Sequence, residues 1–206
     1  NLYRNGKNYD KTKQYLAETN PDIIALMEVT KAWKNALKEV LDKYKYQVNS
    51  KQKTDYIYSR FELKPAAVKQ ICKVSRVAVV NVGGSEVSLA LVHLVAGKSK
   101  ASNKIRQKQL KDLRANRDKL KRPLIMIGDF NMTSWCGDYR KLLKSWNLRD
   151  SRQGFGIQPT WPTWCPLLWI PIDHCFVSDG ITVLDRRVGP NVGSDHYPVF
   201  LELGIE

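Results

Sequence analysis

The residues best placed for chemistry follow a short apolar run in the middle of the chain. The segment Leu124–Trp135 starts with apolar residues, reaches Gly128 and then presents Asp129 and Asn131. An apolar run that ends at a glycine is typical of a buried strand that delivers its last residues to the edge of a sheet. If the extended geometry continues, Asp129 and Asn131 point the same way and offer a carboxylate and an amide to one site, while Phe130 points back into the core. An Asp and an Asn at a strand end are also common turn formers, so the rest of the chain must decide between the two interpretations.

Two further polar residues stand at the ends of predicted strands. The apolar segment Asp22–Met27 leads directly to Glu28, and the second arm of a predicted hairpin ends at His93. A carboxylate at the exit of a buried strand is costly to desolvate unless it meets a cation or hydrogen-bond donors, which makes Glu28 a candidate ligand. The alternatives are an exposed loop glutamate and, for His93, an ordinary hydrogen-bonded histidine at a strand end.

The last third of the chain adds a second group of the same kind. Asp173 and His174 lie in the predicted strand Ile172–Val177, where neighbouring side chains leave on opposite faces, so at most one of them faces a site. Asp195 and His196 directly precede the final apolar run. Chance would scatter such residues, and their repeated position at strand ends or in the adjoining loops indicates a common site.

These residues require a framework that brings several strand ends to one place. Helical and extended periodicities alternate along the chain, an order that is typical of a layered α/β domain in which helices cover sheets. Asn1–Gly6 resembles a strand end that runs into a turn. The predicted helices are Tyr9–Glu18, Lys31–Tyr44, Lys98–Arg122 and Tyr139–Trp146, and the predicted strands are Asp22–Met27, Tyr56–Arg60, Arg76–Val82, Val87–Leu94, the run that begins at Leu124, Ile172–Val177, Thr182–Val188 and Tyr197–Leu203.

The composition is that of one basic domain. The chain has 206 residues, and neither a linker nor a low-complexity segment divides it, so residues 1–206 are predicted to form a single domain with a substantial core. Lys and Arg outnumber Asp and Glu by 34 to 20, for a formal net charge of +14. This charge indicates either a polyanionic partner or a basic protein without one, since net charge informs association and not fold.

The cysteines and the apolar runs argue against two other classes of protein. The four cysteines show neither a CxxC pair nor the spacing of a zinc site, which argues against structural zinc. Cys136 and Cys165 lie in loop-like sequence, so a disulfide between them is left open. The uncharged segment Pro159–Ile172, which is rich in proline and tryptophan, is too short to span a bilayer as a helix. The chain begins at Asn1 without a methionine, and we expect a processed product or a fragment of a longer protein.

The segment Lys98–Arg122 carries a high local charge. It contains eleven basic and two acidic residues beside a few apolar anchors, and it predicts an amphipathic helix with a basic outer face. Such a face follows a phosphate backbone, lies on an anionic bilayer, or is simply solvated. Because the helix ends where the next strand begins, its C-terminal end should lie opposite the site. The loop residues Lys98 and Lys100 are therefore predicted substrate contacts in preference to Lys121 and Arg122.

A loop between Pro159 and Pro171 carries three tryptophans, Trp161, Trp164 and Trp169. The prolines restrict its conformation, and the tryptophans give it a large aromatic area. Such a loop either lines the rim of a substrate site or fills the core.

Taken together, these segments resemble a known family. The motifs Gly128-Asp129-Phe130-Asn131 and Ser194-Asp195-His196, in this order, are specific, and the resemblance extends over nearly the whole chain. The chain resembles the endonuclease/exonuclease/phosphatase superfamily, the deoxyribonuclease I-like proteins. This group includes pancreatic-type deoxyribonucleases, apurinic-site endonucleases, neutral sphingomyelinases and inositol polyphosphate phosphatases. The other matching segments are Asn1, Pro21-Asp22 through Glu28, Ser59-Arg60, Val92-His93, Ile172-Asp173-His174 and Tyr197-Pro198.

The resemblance implies a fold and a place for the site. The family fold is an α/β four-layer sandwich of two mixed β-sheets flanked by helices, and its site lies at one end of the sandwich. The segments Thr160-Trp161-Pro162 and Asn131–Trp135 are most similar to bacterial members that are often carried behind membrane-spanning helices. This similarity leaves open that the chain is the soluble domain of a membrane-anchored bacterial protein.

The resemblance also implies a metal site. Glu28 resembles the family's main metal-ligating glutamate, Asn1 an amide beside the metal, and Asp195 a further carboxylate at or near it. Oxygen ligands of this kind suit Mg²⁺ or Mn²⁺ rather than zinc.

Catalytic roles for the remaining residues follow from the same resemblance. Asp129 resembles the residue that orients or deprotonates the attacking water, and Asn131 the amide that binds the pentacovalent phosphorus centre. His196 paired with Asp173 resembles the family's His–Asp dyad, in which the carboxylate fixes the imidazole tautomer. His93 resembles a donor to a non-bridging phosphate oxygen. Whether Asp129 or His196 takes the proton of the water is left open.

The sequence thus predicts a divalent-metal-dependent phosphodiester hydrolase, most simply a monomeric nuclease acting on DNA or RNA. Such hydrolysis needs charge neutralisation on the phosphorus oxygens, an oriented water and help for the leaving alkoxide. One alternative is a lipid phosphodiesterase of the sphingomyelinase type, for which the tryptophan loop and the basic helix would contact an anionic membrane surface. The other is a catalytically silent binding module of the same fold. His174 is assigned no catalytic role, because its side chain leaves on the far face from Asp173.

Overall fold

The computed structural model describes residues 1–50, 54–66 and 68–206, and it arranges them in layers of helices and sheets. The helices are α1 (Tyr9–Thr19), α2 (Lys31–Ala36), α3 (Lys38–Leu41), α4 (Lys100–Ala115) and α5 (Gly137–Trp146). The strands are β1 (Ile23–Leu26), β2 (Tyr46–Asn49), β3 (Tyr56–Ser59), β4 (Leu63–Pro65), β5 (Ser75–Val82), β6 (Ser85–His93), β7 (Leu124–Asp129), β8 (Arg149–Asp150), β9 (Asp173–Val177), β10 (Ile181–Val188) and β11 (Val199–Ile205). Short 3-10 turns cover Arg117–Lys119 and Pro166–Leu168.

A mixed six-stranded sheet determines which side chains meet where its strands end. Its order is β4-β5-β6-β7-β9-β8, in which the β6–β7 pair is parallel and the other pairs are antiparallel. A parallel pair needs a crossover connection, and α4 provides it between β6 and β7. The register places His93 opposite Asp129 and Asp129 opposite Asp173. Three polar residues predicted from separate segments therefore stand side by side at the ends of neighbouring central strands.

A second β layer packs on the six-stranded sheet. It consists of the antiparallel three-stranded sheet β1-β3-β2 and the antiparallel pair β10-β11. Strand alternation separates the cores: in β6, Leu89 and Leu91 face the space between the two β layers, whereas Ala90 and Val92 face the helical side. The alternation is as expected for a sheet that is covered on both faces.

Helices cover the outer face of each β layer. Helices α4 and α5 pack on the six-stranded sheet through residues such as Leu110 and Leu142, both fully buried. Helices α1 to α3 pack on the three-stranded sheet around Trp33, which is also fully buried. The resulting order of helices, sheet, sheet and helices confirms the predicted four-layer α/β sandwich.

Two predicted helices have different boundaries. The helix expected over Lys31–Tyr44 breaks at the buried Leu37, which separates α2 from α3. The apolar residues keep their helical spacing across the break, so the pattern did not reveal it. The helix expected over Lys98–Arg122 starts after Ser99, whose side chain accepts from the Ser102 N–H at 3.1 Å, and ends at Ala115.

The sequence also missed short strands and misread the first residues. Strands β2, β4 and β8 were not predicted: β4 and β8 have only three and two residues, and β2 is an edge strand without a buried apolar run. Asn1–Gly6 is not a strand end but a turn, which a hydrogen bond from Leu2 N–H to the Met27 carbonyl attaches to the end of β1.

Gly128 offers a test of the β6–β7 contact. A Cβ at this position would lie 1.9 Å from the Val92 carbonyl oxygen, and its φ of 145° disfavours any side chain. We expect Gly128→Ala to lower the free energy of unfolding by about 3 kcal/mol, because the parallel pair must separate. The control is Gly137→Ala, in the exposed first turn of α5 with open space around it. This change should raise the free energy of unfolding by about 0.5–1 kcal/mol. Urea denaturation of the three proteins measures both changes, and equal stability of Gly128→Ala and the parent would contradict the contact.

Candidate active site

An open cavity of about 690 Å³ lies where the strand ends meet. All of the predicted site residues except Asp173 line it, and Asp173 lies behind His196. The predicted lining residues are Asn1, Glu28, His93, Asp129, Asn131, Asp195 and His196. Residues from both β layers and from the loop before β11 thus converge on one site.

Asp129 is the most enclosed carboxylate of the site, with 1% of its surface exposed. Its Oδ1 accepts a hydrogen bond from the Asn131 N–H at 2.8 Å. Its Oδ2 faces the amide of Asn1 at 3.4 Å, His196 Nε2 at 3.9 Å and His93 Nε2 at 4.0 Å. Burial and the nearby Asp173 raise the pKa of Asp129 to about 6, against the opposing effect of the two imidazoles.

His196 and Asp173 form the predicted dyad. His196 Nδ1 lies 2.8 Å from Asp173 Oδ2, so Nε2 points toward Asp129. Burial lowers the pKa of His196, but the Asp173 carboxylate raises it by more, so it lies above its usual value. Burial opposes ionisation of Asp173, yet His196 holds the pKa of that carboxyl below its usual range. The carboxylate therefore fixes the tautomer and favours the imidazolium.

A second pair, His93 with Asp55, mirrors the dyad and was missed by the sequence reasoning. His93 Nδ1 lies 3.2 Å from Asp55 Oδ1. Burial lowers the pKa of His93, but the carboxylates of Asp55, Asp129 and Glu28 together raise it above its usual value. Asp55 stands directly before β3, and the register of the antiparallel pair places Tyr56 opposite Leu26, at the edge where β1 ends. A search that included the starts of antiparallel strands would have found it.

Glu28 lies beside Asn1 at the same edge. The backbone of Glu28 is left-handed, with φ at 59°, and its carboxylate accepts from the Arg4 N–H at 3.0 Å and from Asn1 Nδ2 at 3.3 Å. Burial tends to raise the pKa of Glu28, but these hydrogen bonds prevail and lower it. Asn1 Nδ2 lies between Glu28 and Asp129 and contacts both carboxylates.

Asp195 lines the cavity from the loop before β11. Its Oδ2 accepts from Trp161 Nε1 at 3.4 Å, and its Oδ1 lies 3.5 Å from Ser194 Oγ. The Ser194 hydroxyl also accepts from the His196 N–H at 3.0 Å. This short loop therefore orients both of its functional side chains.

Asn131 reaches the site by a different route from the predicted one. Its φ is 49°, so the extended geometry of β7 does not continue to this residue, and that expectation was wrong. The turn is closed by the Asp129 carboxylate, and Asn131 Nδ2 donates to the Leu94 carbonyl at 2.9 Å. Asp129 and Asn131 thus form a turn and also line the cavity, so both interpretations of this segment apply. Phe130 points into the core, as predicted.

His174 is confirmed on the far face of β9. Its Nε2 lies 2.8 Å from the Met132 carbonyl, and its ring packs against Phe130, Tyr139 and Phe176. Burial lowers the pKa of His174 to about 4. A neutral histidine in an aromatic core has a structural role.

The comparison with known families agrees with this geometry. The sequence pattern of the Endonuclease/Exonuclease/phosphatase family matches residues 1–196. The chain belongs to this family. The family takes its name from endonucleases, exonucleases and phosphatases, all of which hydrolyse phosphate esters. A comparison with curated proteins finds no match.

Solved structures of low sequence identity have the same fold. An endonuclease/exonuclease/phosphatase from Bacteroides vulgatus is similar at a TM-score of 0.76 and 16% identity, over 97% of this chain and 90% of that chain. A mannosyl-6-phosphatase of Bacteroides thetaiotaomicron is similar at a TM-score of 0.75 and 19% identity, over 96% of this chain and 91% of that chain. TDP2 of D. rerio, complexed with a single-strand DNA product, is similar at a TM-score of 0.72 and 18% identity, over 96% of this chain and 91% of that chain. Likeness at such identities concerns the fold alone.

Two groups of residues at the candidate site have the chemistry of metal ligands. Ligand atoms of Asp129, Asp173 and His196 lie within 4.8 Å of one another. In that group the close contact of His196 Nδ1 with Asp173 already engages both side chains. Glu28 offers carboxylate oxygen atoms on the cavity wall, which fit a hard divalent cation, whereas Asn1 turns Nδ2 toward Glu28 and its Oδ1 accepts from the Tyr3 N–H at 3.1 Å.

The cavity is lined by basic and by aromatic residues. Lys98 lines it, together with Arg106 from α4, whereas the other predicted contact, Lys100, is not among its lining residues. Arg122 donates to the Trp146 and Asn147 carbonyls at the C-terminal end of α5. Trp161 also lines the cavity. The loop that follows it is exposed rather than packed in the core: the exposed fractions are 68% for Trp164, 96% for Leu167, 52% for Leu168 and 42% for Trp169.

Two remaining expectations are answered by the described residues. All four cysteines are free thiols, so Cys136 and Cys165 do not form a disulfide. In the described part of the chain no helix has the length and apolar character to cross a membrane.

The two histidine pairs predict separate titrations. In metal-free protein, Asp173→Asn should lower the pKa of His196, because burial remains while the carboxylate that raises the pKa is lost. Asp55→Asn should lower the pKa of His93 in the same way and leave that of His196 unchanged. Turnover of a phosphodiester by Asp173→Asn should fall by orders of magnitude with little change in substrate binding.

NMR titration of the imidazole protons in the parent and in both variants measures these shifts. Each variant serves as the control for the other. A His196 pKa that does not move in Asp173→Asn would contradict the dyad.

Proposed function

We propose that this chain is a divalent-metal-dependent phosphodiester hydrolase that acts on DNA or RNA as a nuclease. The observation that carries the proposal is the arrangement at Asp129, whose Oδ2 lies 4.0 Å from His93 Nε2 and 3.9 Å from His196 Nε2. Each imidazole has its own carboxylate partner, Asp55 or Asp173. Two oriented imidazoles beside one carboxylate suit a reaction in which a water is deprotonated while charge develops on phosphate oxygens.

In this proposal Asp129 is the general base. Burial raises the pKa of Asp129 to about 6, close to the pH at which a base must accept and release protons. Its Oδ1 is engaged by the Asn131 N–H, so Oδ2 is the atom that takes the proton from water.

The two histidines are the proposed donors. Carboxylate partners raise the pKa of His93 and that of His196, so both imidazoles retain a proton nearer to neutral pH. Each Nε2–H then donates to a phosphate oxygen, and Asn131, which also lines the cavity, adds an amide. Such donors are most effective where charge develops in the transition state.

Glu28, Asp195 and Asn1 are the proposed holders of a divalent cation, Mg²⁺ or Mn²⁺. Oxygen donors of this kind suit hard cations. A bound cation supplies charge neutralisation on the phosphate and lowers the pKa of a bound water.

The choice of nucleic acid rests on charge. The chain has a net charge of +14, and Lys98 and Arg106 line the cavity. A repeating phosphate backbone gains from several such cations, since each contact releases counterions. A structural relative holds a single-strand DNA product, whereas another is a mannosyl-6-phosphatase, so the fold by itself does not choose the ester.

A lipid phosphodiesterase is the second candidate, and one observation favours it. The loop beside the cavity exposes Trp164 at 68% and Leu167 at 96%. Exposed tryptophan and leucine on one loop suit insertion into the interface of an anionic membrane. A silent binding module is disfavoured, because every predicted catalytic side chain is present. A monomeric state and a membrane-anchored parent protein remain predictions.

Metal dependence has a direct test at Glu28. Glu28→Gln should reduce turnover of a phosphodiester by at least about tenfold at limiting Mg²⁺, because a neutral amide is a weaker ligand for a hard cation. It should also abolish the rise in melting temperature that Mg²⁺ produces in the parent. Glu62→Gln, an exposed glutamate outside the cavity, is the control. Undiminished turnover of Glu28→Gln in trace metal would exclude Glu28 from the site.

A substrate panel separates the two candidate functions. Lys98→Glu with Lys100→Glu should raise the KM for plasmid DNA several-fold and flatten its salt dependence, because phosphate contacts near the cavity are lost. Lys119→Glu with Lys121→Glu, the matched change at the far end, should have little effect. The measurements are initial rates with Mg²⁺ on plasmid DNA, RNA, sphingomyelin vesicles and inositol phosphates over a range of salt concentrations.

The outcomes of this panel are distinct. Equal effects of both charge pairs would indicate a diffuse positive field rather than local contacts. Turnover of sphingomyelin but not of nucleic acid, with vesicle binding lost in Trp164→Ala, would favour the lipid enzyme.

A further inference from the structure

Helix α4 holds two of the loops that border the cavity, through two polar side chains. Gln109 is buried, and its Oε1 accepts from the Val95 N–H in the loop after β6 at 3.0 Å. Arg106, one helical turn earlier, donates from Nη1 to the carbonyl of Asn131 in the turn after β7 at 2.8 Å. Its Nη2 donates to Asn103 Oδ1 on the same helix at 3.1 Å, which fixes the plane of the guanidinium. A planar group held at two points is a rigid anchor for a turn.

The turn at Asn131 depends on such an anchor. A left-handed backbone, with φ at 49°, is unfavourable for a residue with a side chain and persists only where the surroundings impose it. Three of its polar groups are engaged. The N–H donates to Asp129 Oδ1 at 2.8 Å, Nδ2 donates to the Leu94 carbonyl at 2.9 Å, and the carbonyl accepts from Arg106. Of these partners, Arg106 is the one that comes from a helix.

Gly97 provides the space in which the guanidinium lies. A Cβ at Gly97 would lie 2.7 Å from both Arg106 Cζ and Arg106 Nη2. The backbone of Gly97 is outside the left-handed region, so its conformation would tolerate a side chain. A larger residue at this position would therefore have to displace the Arg106 guanidinium.

We propose that Arg106 is a positioning residue that fixes the Asn131 turn, and with it the Asn131 carboxamide and the Asp129 carboxylate, in the geometry required for hydrolysis. The kinetic part of this inference rests on the proposed function. Displacement of the turn by about 1 Å would be costly, because a misplacement of that size lowers turnover by about a hundredfold.

A direct contact between Arg106 and the substrate is the competing role, since Arg106 also lines the cavity. The two roles differ in kinetics. Loss of a substrate contact that is equal in ground and transition state raises KM, whereas misplacement of groups that act in the transition state lowers kcat.

Gly97→Ala is the most selective variant, because it displaces the guanidinium without removing its charge. It should lower kcat by about 10- to 100-fold while KM changes by less than about threefold. Combined with Arg106→Ala, it should cause no further loss, since the three atoms nearest to the added Cβ all belong to that side chain. Arg106→Ala alone should lose as much activity, and millimolar guanidinium should restore part of it. Arg106→Lys should remain impaired, because an ammonium lacks the planar two-point donor.

Arg114→Ala is the matched control. Arg114 is a half-buried arginine on the same helix and does not line the cavity, so kcat and KM should be unchanged. Thermal unfolding of every variant separates loss of positioning from loss of stability. A fall in kcat that simply follows a fall in melting temperature would overturn the inference.

A readout independent of activity tests the positioning itself. The Asn131 amide proton, which is bonded to Asp129 Oδ1, should exchange with solvent faster in Gly97→Ala and Arg106→Ala than in the parent and in Arg114→Ala. If the Asn131 amide proton exchanged at the same rate in the variants as in the parent, the inference would be overturned, whether or not the protein turned over a substrate. If exchange were faster in the variants but the parent were inactive, only the proposed function would be contradicted. A raised KM with unchanged kcat would assign Arg106 to substrate binding instead.

Discussion

The buried carboxylate of Asp129 is the interaction on which the rest of the site depends. A carboxylate with 1% exposure is expensive to keep charged unless donors surround it. Here the Asn131 N–H, the Asn1 amide and two imidazoles surround it. These donors come from a turn, from the first residue of the chain and from two separate strand ends, so the stability of one charge requires much of the tertiary structure to be in place.

The two histidine pairs explain why both β layers are necessary. Asp173 lies on β9 of the six-stranded sheet, whereas Asp55 stands before β3 in the second layer. The apolar core between the layers, which includes Ile57 and Leu91, therefore also sets the distance between His93 and its partner. Packing and chemistry are coupled, since a shift of one sheet on the other would separate a histidine from its carboxylate.

The rim of the cavity, and not its interior, distinguishes one ester from another. The interior offers carboxylates, imidazoles and amides that suit any phosphate ester, and structural relatives include both a phosphatase and a protein that holds DNA. The rim offers Lys98 and Trp161, and the loop that follows Trp161 exposes Trp164. Charge and exposed aromatic area thus lie near the cavity, outside the group of carboxylates and imidazoles.

The sequence by itself determined the layered α/β architecture, the family and most of the site, because apolar runs that end in Glu28, His93 or Asp129 carry both the strand pattern and the chemistry. Local pattern could not reveal the break at Leu37, where the apolar spacing is uninterrupted, or Asp55, which precedes its strand. Only the tertiary structure decided these points. The pairing of Asp55 with His93 and of Arg106 with the Asn131 turn depends on register and crossover, which join residues far apart in the chain and leave no periodic signal in the sequence.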